Sequence, residues 1–107
     1  MITPSLYDTI ELLIDLPEQN LWAGKQGAIV HQYDEQMFEV EFANDQGETI
    51  ALCALSPEQF IVVWQAETEQ PVAIVDQVAQ IVSHLPQAPQ KQLLDFARFL
   101  SLQTARV

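Results

Sequence analysis

Two histidines, one cysteine and fifteen carboxylates are the side chains of this chain with chemistry to offer. Catalysis or metal binding needs such groups to converge, and their spacing argues against it. His31 and His84 fall in different parts of the chain, and no His-x-x-x-His or Cys-x-x-Cys pattern occurs; a zinc site therefore has no support. His31 precedes Glu39 and Glu41 by one strand-and-turn, so the three could meet on a sheet. A solvated strand face is the better reading of them. His84 follows an apolar helical run, where a partly positive ring suits a helix C-terminus. Cys53, in Ala51-Leu52-Cys53-Ala54-Leu55, has no basic neighbour in sequence to stabilise a thiolate and reads as a small buried hydrophobe. Gly24 and Gly27 lead into a strand and not a helix, so they do not form a phosphate loop. Asp34, Asp45 and Glu48 lack calcium-loop spacing. The expectation is a non-enzymatic chain with no metal and no cofactor.

Net charge sharpens this. The chain carries −11 over 107 residues, unevenly. Residues 1–64 hold eleven acids and one base, Lys25; residues 65–107 hold four acids and three bases. An acidic unit repels phosphate backbones and anionic lipid, so neither nucleic acid nor membrane is expected as a partner. A basic protein is the complementary partner; solubility alone is the plainer use of such charge. A single cysteine forbids an intrachain disulfide. No basic leader or apolar run of membrane length is present, which makes the cytoplasm the expected compartment.

The elements that must position these groups follow from periodicity. Phe38, Val40 and Phe42 alternate with Glu39 and Glu41, the period of a half-buried strand. Runs at 7–13, 28–33, 49–55 and 60–64 add four more strands, separated by Asp-Leu-Pro, Gly-Lys-Gln-Gly, Asp-Glu-Gln and Asn-Asp-Gln-Gly. Ser56-Pro57 opens a single helical turn. Five short strands in some sixty residues predict a small antiparallel barrel over 1–64. Phe38, Phe42, Phe60 and Tyr33 are its expected core aromatics. Trp22 and Trp64 either cover the barrel ends or face a ligand.

Residues 65–71 are polar and read as a linker. The period then changes to about 3.6: Ile74, Val75, Val78, Ile81, Val82 and Leu85 make one helix face. Pro86-Gln87-Ala88-Pro89 interrupts it, and Leu93, Leu94, Phe96, Ala97, Phe99 and Leu100 make a second, wider face. The expectation over 72–107 is an αα-hairpin. Its second helix has more apolar surface than one intramolecular contact covers. Leu93, Phe96, Phe99 and Leu100, with Trp22 and Trp64, are the candidate partner-binding residues. The remainder of that surface needs the chain's own barrel, a second copy of the chain, giving a homo-oligomer through these helices, or another protein; the last two are favoured over the first.

Asp8-Thr9-Ile10, Leu16-Pro17-Glu18, Gly24-Lys25-Gln26-Gly27-Ala28-Ile29-Val30, Glu39-Val40-Glu41-Phe42 and Gly47-Glu48-Thr49 resemble a family of small bacterial proteins classed as a domain of unknown function. The resemblance implies an SH3-like barrel, similar to that of the nitrile hydratase β subunit, and implies no activity. Leu85-Pro86 with Gln92-Leu93-Leu94-Asp95-Phe96-Ala97-Arg98-Phe99-Leu100 is similar to a helical motif of small bacterial antitoxins. That likeness implies toxin neutralisation. The basic DNA-binding head of such antitoxins is absent, and the acidic unit stands in its place. A self-associating accessory protein, and an enzyme or small-ligand binder using His31, Glu39 and Glu41 with Trp22 or Trp64, are the alternatives.

Overall fold

The computed structural model describes residues 1–105. The fold is mixed β and α: an antiparallel six-stranded sheet followed by two helices. The strands are β1 (Thr9–Leu12), β2 (Gln26–Asp34), β3 (Met37–Ala43), β4 (Thr49–Leu55), β5 (Phe60–Gln65) and β6 (Gln70–Pro71). Their spatial order is β4-β3-β2-β1-β5-β6. Alternation in β3 works as the sequence dictates: Phe38, Val40 and Phe42 are buried, while Glu39 and Glu41 keep water access. Ile10, Leu12, Ile29, Leu55, Phe60 and Val62 join them in one core, which the sheet must curl to enclose. Phe38 and Phe60 meet edge to face with ring centroids 5.9 Å apart, a preferred aromatic geometry. Pro57 opens the 3-10 turn Pro57–Gln59 that leads into β5, and the Ser56 N–H donates to Gln59 Oε1 at 2.8 Å.

Three expectations change. The five-stranded closed barrel is an open sheet of six strands, because β4 and β6 are its two edges and do not pair with each other. The sixth strand arises where a linker was expected. Glu69 adopts φ 53°, and the chain turns so that Gln70 and Pro71 pair with Gln65 and Trp64. Tyr33 is half exposed and lies outside the core. Register shifts between Ile29 and His31, and between Gln32 and Asp34, break the alternation that would have carried Tyr33 inward.

The helices are α1 (Ile74–Val82) and α2 (Gln87–Ala105); residues 106 and 107 of the expected hairpin lie outside the described residues. α2 starts before Pro89, which sits in its first turn where no N–H is needed. Helix α1 rests on the sheet through a side-chain device. Gln80 Oε1 accepts the Val62 N–H at 2.7 Å, and Gln80 Nε2 donates to the Val62 carbonyl at 2.9 Å. The carboxamide thus stands in for one residue of a neighbouring strand and satisfies both backbone groups of β5 at that point. Gln80→Ala should lower stability by about 1–2 kcal/mol. A urea midpoint that falls with unchanged slope would register this.

The side-by-side hairpin does not form. Gln90 Nε2 donates to the Val82 and Leu85 carbonyls at the end of α1, closing the elbow between the helices. Beyond that elbow α2 makes no extended contact with α1 or the sheet. The molecule measures 49 × 30 × 28 Å along its principal axes.

Candidate interaction surface

Neither helix buries a residue. In α2, Phe96 and Phe99 are 57% and 50% exposed and stack on each other, with ring centroids 6.3 Å apart. Leu94, Leu100 and Leu102 are also exposed, and Leu93 is half-buried near the elbow. In α1, Ile74 is 80% exposed, and Val75, Val78 and Ile81 follow it along one face. The structure therefore brings Leu93, Phe96, Phe99 and Leu100 together on one projecting helix. Nine apolar side chains of the two helices are exposed by between 36% and 80%, more than scattered single surface hydrophobics.

The helices are nearly neutral while the sheet is strongly acidic. Over residues 72–105, Asp76 and Asp95 are balanced by Lys91 and Arg98. Arg98 contacts Asp95 at 3.3 Å on the helix surface, a pair worth little in water.

The two tryptophans are not part of this surface. Trp22 lies in the loop between β1 and β2, about half exposed, where the Ala23 N–H donates to Asp15 Oδ1 at 2.9 Å. Trp64 is half-buried on β5 and lines a shallow cavity of about 620 Å³ with Thr9, Glu11 and Gln77. Trp22 does not reach that cavity.

His31 and Glu39 are direct cross-strand partners, as their spacing allowed. Tyr33 packs edge-on against the His31 ring at 4.6 Å. Partial burial and the neighbouring Glu39 carboxylate push the Tyr33 phenol above its usual 10.0. His84 sits apart, at the end of α1, on a larger groove of about 1120 Å³ lined also by Pro4, Glu35, Phe60 and Asp76. Cys53 is buried, and burial, then the Glu18 charge, push its thiol above 9.0. Such a thiol stays protonated and is a poor nucleophile at neutral pH. Among the described residues no three His, Cys, Asp or Glu side chains are grouped to hold a metal ion. No helix among them is long and apolar enough to cross a membrane.

Sequence reasoning missed part of the surface. Ile74, Val75, Val78 and Ile81 were read as one face of a packed hairpin, yet they face water. The outward face of β4 was missed too: Ile50 and Leu52 are about half exposed. Their signal was the absence of any polar residue in Ile50–Leu55, a run that gives no clue to which face is buried.

A family model described as a domain of unknown function, DUF4926, matches residues 6–62. The match ends in β5, so β6 and both helices lie beyond it. No curated protein and no solved structure matches the chain.

Proposed function

As the chain belongs to the DUF4926 family, a membership that carries no assigned activity, we propose that it is a non-enzymatic protein-interaction module whose helix α2 docks onto a basic protein. The observation that carries this reading is the projecting α2, with Phe96 and Phe99 half or more in water and no residue buried. An amphipathic helix laid in a groove is a recurrent recognition mode, with anchors three and four residues apart. Leu93, Phe96 and Leu100 have that spacing, and Phe99 widens the face. Aromatic anchors of this kind dominate interface energies. The likeness of Leu85–Leu100 to antitoxin helices favours an inhibitor-like role. The acidic sheet would speed encounter with a basic partner, by roughly 10- to 1000-fold at low salt.

The sheet is read as an SH3-like, partly open barrel. Support comes from the order β4-β3-β2-β1-β5 and the 3-10 turn immediately before β5.

A second reading has one observation in its favour. The helices are charge-balanced on a chain of −11, so two copies could meet there with little repulsion. Photo-crosslinking separates the readings. With benzoylphenylalanine in place of Phe96 in the full chain in its native cell, the docking reading expects an adduct with a second, basic protein, diminished by salt. Adducts between two copies would support self-association instead. Crosslinks confined within one chain would overturn both.

A further inference from the structure

The two edges of the sheet are treated differently. At the β6 edge only Gln70 and Pro71 pair, and Pro71 offers no N–H. Next to them the Val72 N–H donates to the Val63 carbonyl at 2.8 Å, and Gln80 occupies both backbone groups of Val62. That edge is short, carries a proline and is covered by a helix. At the other edge, β4 runs for seven residues, Thr49–Leu55, and pairs with β3 alone. It contains no proline, no glycine and no charge. From Ala51 to Leu55 its register with β3 is unbroken. Natural sheets blunt exposed edges with lysine, proline, bulges or a covering element. Along Ala51–Leu55 none of these is present among the described residues.

We propose that the open edge of β4 is a docking site for an extended basic segment of another protein, which adds as a further antiparallel strand. Alternate residues of an edge strand point their N–H and C=O outward, so the backbone supplies the affinity. Charge on the outer face supplies the choice of partner. Glu41 lies directly across from Leu52, and Glu39 across from Ala54. Asp45 and Glu48 stand before the N-terminal end of β4, and Glu58 stands beyond its C-terminal end. Residues 26–64 contain no Lys or Arg. An added strand lies about 5 Å from β4 and about 10 Å from β3. A lysine or arginine on it would run its methylene stem over Leu52, which is 54% exposed, and bring its charged end toward Glu41. Two copies of this acidic sheet placed edge to edge would instead set their carboxylates against each other. The site is on the opposite edge of the sheet from β6 and Gln80, is separate from α2, and does not depend on what α2 binds.

Amide spectra of the full-length chain, titrated with a ten-residue peptide alternating lysine and valine, test this. The expected result is perturbation centred on residues 49–55, with binding weakened at least tenfold in Leu52→Lys and in Ala54→Lys. Both positions are exposed, so both variants should keep the native spectrum elsewhere. The same peptide N-methylated along one edge keeps its charge and side chains but cannot complete the ladder, and it should bind at least tenfold more weakly. Phe96→Ser should leave the affinity unchanged, which separates this site from α2. Equal binding of the N-methylated peptide would overturn the proposal, as would unchanged affinity in both lysine variants. Self-pairing of β4 that Leu52→Lys abolishes would overturn it in favour of a second copy.

Discussion

Gly27→Ala should destabilise the sheet by about 2 kcal/mol, although it adds only one methyl group to the second residue of β2. A Cβ at Gly27 would stand 2.8 Å from the Glu41 carbonyl oxygen, 2.8 Å from Val40 Cγ1 and 2.9 Å from Phe42 Cδ1. The oxygen belongs to the β3 backbone, and Val40 and Phe42 are fully buried; none can yield without disturbing the core. Overpacking of this kind costs about 1–3 kcal/mol, occasionally more. The entropy gained by restricting the unfolded chain returns only about 0.4–1 kcal/mol. Gly24→Ala is the control: nothing lies within 4 Å of a Cβ there, and only its φ of +99° is strained. Its cost should be about 1 kcal/mol, that strain less the same entropy return. Urea denaturation of both variants checks the order, and a Gly27→Ala midpoint at or above that of Gly24→Ala would refute the account.

Asp8→Ala should cost about 3 kcal/mol, and Asp8→Asn about 2. Asp8 is 1% exposed, the one buried charged residue among the described residues. Its Oδ2 accepts from the Ser5 N–H at 3.0 Å and from the Ser5 hydroxyl at 3.3 Å. Its Oδ1 accepts from the Ala66 N–H at 2.9 Å, which ties the start of the chain to the turn between β5 and β6. Bonds to a charged group are worth about 1.5–3 kcal/mol each, and a donor left unpaired adds the cost of its desolvation. Asparagine retains one acceptor oxygen but replaces the other with a donor facing donors. Thermal unfolding should rank the natural chain above Asp8→Asn and Asp8→Ala last. Equal stability of all three would contradict the assigned hydrogen bonds.

Much of the local structure was legible because one period governs each element. In Phe38–Phe42 the alternation fixes the buried face, and both helices follow from apolar residues recurring at helical spacing. Gly27 was read as a turn residue because glycine punctuates turns, yet β2 already runs from Gln26. What it avoids is a carbonyl fourteen residues away, a non-local contact that no short window contains. Asp8 and Gln80 were silent for the same reason: their partners Ala66 and Val62 lie 58 and 18 residues away. Tyr33 was misplaced because register shifts leave no mark on composition. The surplus apolar surface of α2 was legible from Leu93–Leu100, because no single contact covers so wide a face. That α1 does not cover any part of it at length was not legible, since helical spacing says nothing about the angle at the Pro86 elbow.

Docking through α2 requires that this helix stand away from its own sheet. Most helical stability in proteins comes from tertiary packing, and α2 (Gln87–Ala105) has little beyond the elbow, so its order should come from whatever it binds. Hydrogen exchange of the dilute full-length chain tests this most directly. The amides of 90–105 should exchange orders of magnitude faster than those of β2 and β3, and should become protected in the cross-linkable complex. Protection of 90–105 equal to that of the sheet in the dilute chain would mean that α2 packs on its own domain, and would contradict the account.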